Sequence, residues 1–400
     1  MMKIFLSVIL CVLLFVPLFA QEDGQVKKPF TFARQHFEFG IESGFGMAND
    51  LLAFRDFLKR DIVIDLNKLE ESIQDDGANL KITVFGNSFL NIMNLGIFGG
   101  RWDFGVFSGA DGNISGNLPK SIFTLIGKGN INQHTLPGSV RISGGIFAET
   151  GFKAAAKYSR FRVALTPALY APLLYVPKSG INYILETDDG VSLRSDGAIS
   201  VYSPFIDNGE IKFGFDLSTY GEFSLFSFLD IGGRISHVPM VPAVLNKRMR
   251  LTMTDIDFAV SGQDLIDGKE IDFPGIDFAE EYDSAEMKVV RPLRFDLYAR
   301  FRPFGPRLLS LTPNLGFTAD ISEGEEYFNA GLEFRLNLVD LFIPYLSVGR
   351  EEGLWRNQIG FALNFRVFEL DLEASLQSQT FKGCFSMKGF ALGLGLRFGW

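Results

Sequence analysis

The chain has few residues arranged for catalysis. Its histidines, His36, His134 and His237, lie far apart and lack the HExxH and Cys/His spacings of metal sites. A lone histidine beside strand residues is more often structural or solvated than a ligand. There is no GxxxxGK[ST] phosphate loop, and Gly393 and Gly395 lie inside a strand pattern rather than in a strand-to-helix turn. We therefore expect no enzyme activity, no cofactor and no metal.

Charged side chains instead recur at alternate positions of several predicted strands. Alternation places such residues on one face of a strand. The charged set comprises Arg294, Asp296, Arg300, Arg302, Glu333, Arg335, Glu369, Asp371 and Glu373. Charges of both signs on one face suit ion pairing better than catalysis. If the strands enclose a lumen, these side chains line it, either as a bracing network or as a substrate pathway.

The strands that carry these charges have an opposite face of Phe, Leu and Ala. The pattern holds in the segments 294–302, 328–337 and 368–377. A soluble β-sandwich also alternates, but strands of about ten residues with Phe and Leu on one face favour a membrane. Because charges are costly in lipid and every backbone group at membrane depth must be paired, the polar face turns inward and the sheet closes.

The composition agrees with an exported membrane protein. Lys3 and the apolar run 4–19 predict a signal peptide, residues 1–20, cleaved after Ala20. The chain is 47% hydrophobic with 42 Phe, and its net charge of −9 disfavours nucleic acid as a partner. No later run is long enough for a membrane helix. We predict that residues 21–400 form one all-β domain, a closed antiparallel transmembrane β-barrel of about 14 strands.

Some segments depart from strand alternation. Residues 48–75 contain apolar positions at helical spacing, which predicts short N-terminal helices, either packed on the barrel wall or placed as a plug in the lumen. A further short helix is expected at 118–126. Residues 261–287 are rich in Asp and Glu and predict an exposed extracellular loop, and 186–197 predict a second polar loop.

The last residues, 390–400, alternate again and end on an aromatic. The apolar positions include Leu392, Leu394, Leu396, Phe398 and Trp400. This strand resembles the C-terminal signal strand of bacterial outer-membrane barrels. The resemblance implies that these residues are an insertion signal, with the barrel-assembly machinery as a partner and the outer membrane of a diderm bacterium as the location. Pairing with the first strand, near 37–45, would close the barrel.

A second resemblance concerns the middle of the chain. The runs Phe213-Gly-Phe-Asp-Leu-Ser218 and Phe228-Leu-Asp-Ile-Gly232 resemble the central segment of the long-chain fatty-acid transporter (FadL-like) superfamily, especially its uncharacterised relatives. The resemblance implies a barrel in outer-membrane lipid that passively transports a hydrophobic or amphiphilic small molecule. The alternative is a structural or secretion-associated outer-membrane protein without transport.

Overall fold

Most of the described chain is strand, as the alternating pattern requires. The computed structural model describes residues 36–49, 71, 73, 77–97, 99–128, 135–186, 191–207, 209–254, 256–258, 278–305, 308–321, 324–338, 340–365 and 367–400. The predicted signal peptide and most of the predicted helical segment 48–75 lie outside these ranges.

Strands and helices follow one another in a regular order. The strands are β1 (Phe37–Asn49), β2 (Ala78–Ile97), β3 (Gly100–Leu118), β4 (Thr135–Tyr158), β5 (Phe161–Glu186), β6 (Val191–Tyr202), β7 (Ile211–Lys212), β8 (Gly214–Phe226), β9 (Leu229–Val241), β10 (Ala243–Met253), β11 (Ile256–Phe258), β12 (Phe278–Val289), β13 (Leu293–Phe301), β14 (Leu309–Asp320), β15 (Glu325–Leu336), β16 (Phe342–Glu351), β17 (Leu354–Phe365), β18 (Phe368–Ser378) and β19 (Gly389–Gly399). The helices are α1 (Lys120–Lys128), which confirms the helix expected near residue 120, and α2 (Phe381–Phe385).

The strands close into a ring. Its 14 strands run in the order β1, β2, β3, β4, β5, β8, β9 and then β13 to β19, and every neighbouring pair is antiparallel. β19 returns to β1, with Glu38 opposite Gly399 and Ala48 opposite Gly389. The predicted fold class, the strand number and the pairing of the first strand with the last are therefore confirmed.

The two ends of the ring differ. We call the end that holds the first and last strand residues the terminal end, and the opposite end the loop end. Turns at the terminal end are short; two residues join β4 to β5, and two join β8 to β9. Most connections at the loop end are longer, and the chain between β9 and β13 spans residues 242–292; the short turns β14–β15 and β16–β17 are the exceptions among the described strands.

The outer face of the ring is apolar and the inner face is polar. On β13, Leu297 is 48% exposed whereas Arg294 is 6% exposed. Aromatic side chains surround the terminal end. The ring centroids of Phe37 and Trp400 are 4.9 Å apart, and other contacts between aromatic rings lie further round the wall at the same end. These contacts are Phe368–Phe398, Phe365–Phe368, Phe228–Phe301, Trp102–Tyr158 and Phe342–Phe361.

Beyond the ring, β6, β7, β10, β11 and β12 form a sheet extension at the loop end. β10 pairs with both β6 and β12, and β6 pairs with the last part of β5. Leu245 and Val289 of the extension are fully buried against Phe147 and Tyr170, which point into the ring. The extension therefore reaches over one side of the barrel interior.

The extension corrects two sequence expectations. The predicted polar loop 186–197 is mostly strand, because β6 starts at Val191 and pairs with β5. The last part of the acidic loop, 278–287, lies in β12, where hydrogen bonds to β10 hold an exposed and highly charged strand. Residues 261–277 of that loop lie outside the described residues.

Candidate functional site

The barrel interior is the candidate functional site because buried charged side chains concentrate there. A charge removed from water is stable only when it is paired or hydrogen-bonded. Inward positions on β13, β18 and β19 carry charged residues that are less than a tenth exposed: Arg294, Asp296, Glu369, Asp371 and Arg397. The contacts of these residues divide the interior into several networks.

One network crosses the seam where the barrel closes. The Nε atom of Arg397, on β19, donates to Oε1 of Glu42 on β1 at 2.7 Å. Its Nη1 donates to Oε1 of Glu369 on β18 at 3.2 Å. A single guanidinium therefore ties the last strand to both of its neighbours.

A second network lies on β8, β9 and β13 near the terminal end. The Tyr220 hydroxyl donates to Oε2 of Glu222 at 2.8 Å, and Arg300 Nη1 donates to the same oxygen at 3.3 Å. The Tyr298 hydroxyl also donates to Glu222, and Arg302 donates to the neighbouring Asp230. The charges at this end are thus compensated locally.

A third network uses a tyrosine as its centre. The Tyr345 hydroxyl, on β16, lies 2.8 Å from Oδ1 of Asp371 and 3.0 Å from Oε2 of Glu373. The guanidinium carbon of Arg335 lies 5.1 Å from the centroid of the Tyr345 ring, within the range of a cation–π contact. Arg335 Nε is also 3.3 Å from Oε1 of Glu333.

Among the cations that the structure describes, the most buried is Arg291, between β12 and β13, with a side chain that is 1% exposed. Its Nε donates to Oδ2 of Asp216 on β8 at 2.8 Å, and its Nη1 donates to Glu149 on β4. Nη1 is also 3.8 Å from Oδ1 of Asp111 on β3. One guanidinium therefore connects three separate strands and fixes the base of the sheet extension to the ring.

The turn between β16 and β17 folds inward at the loop end. Glu352 and Gly353 have φ angles of 46° and 82°, the left-handed pair of a type I′ hairpin turn. The Nζ atom of Lys81, on β2, donates to Oε2 of Glu352 at 3.1 Å. The Glu352 backbone N–H donates to Oδ1 of Asn329 at 2.9 Å. The Lys81 ammonium lowers the pKa of the Glu352 carboxyl, so the pair is charged at neutral pH.

This turn borders an interior cavity of about 170 Å³. Apolar groups such as Phe85 and Leu354 form part of its wall. Its charged lining includes Glu42, Lys81, Arg294, Glu351, Arg356, Glu373 and Arg397. Arg294 donates to Glu351, and Arg356 lies 3.2 Å from the same carboxylate. The cavity thus has both apolar and charged walls, which suits an amphiphilic molecule.

The predicted charged residues are distributed over these networks. Arg294 and Asp296 are paired with each other at 3.1 Å beside the cavity, and Asp371 and Glu373 also border it. Arg300 and Arg302 lie in the network near the terminal end, Glu333 and Arg335 are neighbours beside Tyr345, and Glu369 belongs to the seam.

The sequence prediction missed Arg291 and Lys81. Arg291 stands outside any alternating run, next to Pro292, and its partners are 75 and 142 residues away in the chain. Asp216 was detectable, because it alternates with Phe215 and Leu217. Partners on distant strands cannot be assigned from alternation, since alternation gives only the face of each residue.

Four residues of the predicted insertion signal lie on the outer face of β19, and the fifth, Trp400, directly follows the strand. Leu392, Leu394, Phe398 and Trp400 are exposed, and Leu396 is half-buried.

Among the described residues, no three His, Cys, Asp or Glu side chains are grouped to hold a metal ion. No helix in the described ranges is long and apolar enough to cross a membrane.

Fold and interior together define the class: a closed 14-strand antiparallel β-barrel with an apolar outer wall and a charged interior. No protein-family model matches the sequence, and no curated protein matches it.

Solved structures with a similar architecture include FadL-type channels. The toluene transporter TodX of P. putida has a TM-score of 0.45 and 9% identity, covering 94% of this chain and 93% of that one. A Pseudomonas aeruginosa FadL homologue has a TM-score of 0.47 and 10% identity, with coverages of 92% and 91%. The translocator domain of the Neisseria meningitidis autotransporter NalP scores 0.34 at 8% identity, with coverages of 100% and 95%. At these values the likeness says nothing about what this chain carries.

Proposed function

We propose that this chain is an outer-membrane β-barrel that passively transports a small amphiphilic or hydrophobic molecule. The membrane placement is supported by the apolar outer face and by the aromatic residues around the terminal end, which correspond to the apolar band and one aromatic girdle of such barrels. Because these barrels have short periplasmic turns and longer external loops, the terminal end faces the periplasm and the loop end faces outward.

The observation that supports transport is the cavity beside the β16–β17 turn. Its wall combines Phe85 and Leu354 with Arg294 and Glu373, so it offers contacts to both parts of an amphiphile. The turn closes the loop-end side through the contact of Glu352 with Lys81. Movement of this turn would connect the cavity to the external face.

The test is flux of octyl sulfate, a permanently charged amphiphile, into liposomes that contain the purified protein. We expect wild-type flux above that of protein-free liposomes, and a several-fold increase in Glu352→Gln, which loses the charge that holds the turn. Lys247→Met, which removes an exposed ion pair with Asp207 in the extension, is the matched control and should not change flux. Flux equal to that of protein-free liposomes in every variant would contradict transport.

The second candidate, a structural barrel, is favoured by a different observation. The Arg291 network ties β3, β4 and β8 to the extension with charges that are buried or nearly so, which restricts movement on that side of the interior. A structural barrel would show no flux of the probe, with or without the Glu352 substitution. The same liposome measurement therefore separates the two candidates.

A further inference from the structure

One sector of the outer wall, β16 to β19, is almost free of polar residues. Residues opposite one another in an antiparallel sheet point to the same face. Among the described residues of β16 to β19, the strand pairing places a single charged side chain, that of Arg350, on the outer face. Arg350 is exposed and lies at the loop end, opposite Trp355. No acidic residue shares the outer face of these strands.

This sector contains an apolar groove of about 520 Å³, which we call the outer groove. It arises at the row Phe334, Leu346, Ile359, Ala374 and Leu392, which are paired in that order across β15 to β19. Ala374 is the one small residue in this row. Larger side chains on both sides therefore form the walls, and the shape is that of an elongated slot for an apolar chain.

A single amide interrupts the next row towards the loop end. Asn357 lies between Val348 and Leu376, and it lines the outer groove. Its Nδ2 atom is buried and has no hydrogen-bond partner. A donor in such apolar surroundings is unfavourable unless something accepts its hydrogen. Rotation of the Asn357 side chain, which lines the groove, would bring this donor to a ligand carbonyl oxygen in the otherwise apolar slot.

Basic and aromatic residues stand above the groove at the loop end. The Trp355 ring lies 5.3 Å from that of Phe381, which is followed by the exposed Lys382 of α2. Arg350 is the neighbour of Trp355 on the adjacent strand. The Trp355 row lies two positions along the strand from the Asn357 row, a rise of about 7 Å. From the loop end towards the terminal end, the outer wall therefore presents a cationic rim, then an amide donor, then an apolar slot.

We propose that the outer groove binds an anionic, phosphate-bearing membrane lipid. An acyl chain lies in the slot over Ala374, an ester or amide carbonyl accepts from Asn357, and the phosphate lies against Arg350 and Lys382. The inference rests on the proposed membrane placement. A second copy of this chain is a poorer occupant, because a symmetric dimer brings the same patch to itself, and this patch is positive.

The experiment uses Trp355 as a local reporter. Trp102 and Trp400 are replaced by Phe, and the protein is reconstituted into vesicles that contain either brominated phosphatidylglycerol or brominated phosphatidylcholine at the same mole fraction. Bromine quenches tryptophan on contact. We expect quenching of Trp355 to be at least twofold greater with phosphatidylglycerol, because only that lipid has a net negative headgroup.

Two substitutions and their controls locate the site. Arg350→Gln should remove the preference for phosphatidylglycerol, whereas Arg250→Gln, in the extension, should not. Ala374→Phe fills the slot and should lower quenching by both lipids. Ala154→Phe, on the outer face of β4 and opposite Leu165, should leave it unchanged.

The outcomes separate this inference from the proposed function. Equal quenching by the two lipids in the wild-type background, or equal effects of Arg350→Gln and Arg250→Gln, would overturn the lipid site. Weak quenching of Trp355, together with a dimer in native mass spectrometry, would assign the groove to a second copy of this chain. That outcome would also overturn the lipid site. If neither lipid quenches any tryptophan of the unsubstituted protein, the membrane placement itself fails.

Discussion

At the residue scale, the interior depends on charges that are buried and paired. Arg291 shows the consequence most clearly, because Glu149 and Asp216, which accept its hydrogen bonds, are also almost fully buried. Removing one partner of such a group leaves uncompensated charge in a low-dielectric interior. We expect Arg291→Gln to lower the free energy of unfolding by about 3–5 kcal/mol. Urea unfolding of the folded protein in lipid vesicles, followed by tryptophan fluorescence, measures this change.

The matched control is an exposed ion pair. Arg248 Nε donates to Oδ1 of Asp283 at 2.9 Å in the sheet extension, where both side chains are in contact with solvent. Such pairs contribute little to stability, because water and salt screen exposed charges. Arg248→Gln should therefore change the free energy of unfolding much less than Arg291→Gln. Similar effects of the two substitutions would show that the Arg291 network does not hold the extension to the ring.

Alternation in the sequence predicts which face a residue occupies, but not its partner. Arg294 and Asp296 were predicted to share the polar face, and the structure pairs them. Arg397 also lies at a polar position of β19, but its contact with Glu42 spans 355 residues of sequence. Only closure of the ring brings these two side chains together, so no local pattern could have indicated the contact.

At the element scale, the β16–β17 turn is held by one titratable pair. Lys81 lowers the pKa of the Glu352 carboxyl, so this contribution is complete above the ordinary pKa of glutamate and is lost as the pH falls through the lowered value. We expect channel conductance in a planar bilayer to stay low from neutral pH through the range in which an ordinary glutamate takes up a proton, and to rise only below it.

Substitution of the cation tests this assignment. Lys81→Met should raise conductance at neutral pH and abolish the transition at low pH, because Glu352 then has lost its principal partner. Lys247→Met removes an equal charge from an exposed pair and should behave like the wild-type protein. A low-pH transition that persists in Lys81→Met would assign it to another group.

The closing strand is the second element with a direct test. Trp400 contacts Phe37, and its carbonyl accepts from the backbone N–H of His36 at 3.1 Å. We expect Trp400→Ser to reduce the folded, heat-modifiable fraction on gels of outer-membrane preparations, since the strand loses its interfacial anchor. Phe304→Ser removes a more exposed aromatic from a terminal-end turn and should have little effect. Equal amounts of folded protein in the two variants would contradict the insertion-signal prediction.

The elements that sequence reasoning missed are those outside the ring. β12 carries acidic and apolar residues without the regular alternation of a wall strand, and it lies in the extension rather than in the ring. Its strand structure comes from pairing with β10, which is itself a continuation of β9. Wall strands have a sequence signature that lipid enforces on one face. Strands in the extension are specified by long-range pairing, which a single sequence does not show.

At the scale of the whole molecule, closure is the property on which the other proposals depend. Ser43 on β1 and Leu394 on β19 are directly opposite. Residues opposite one another have Cβ atoms about 4.5–5.5 Å apart, close enough for a disulfide or a short thiol crosslinker. In a background with Cys384→Ala, we expect the pair Ser43→Cys and Leu394→Cys to crosslink within one chain, giving a species that resists full extension on denaturing gels.

The control pair is Ser43→Cys with Leu372→Cys. Leu372 is opposite Leu394 on β18, so it lies two strands from Ser43, at about 10 Å across the wall. An open sheet with free edges would crosslink neither pair, because β1 and β19 would then lie at opposite ends of the sheet. If β1 and β19 paired in a different register, Ser43→Cys would crosslink to another residue of β19. Only the register found in the ring places Leu394 opposite Ser43. Efficient crosslinking of the first pair and not the second therefore tests both closure and register.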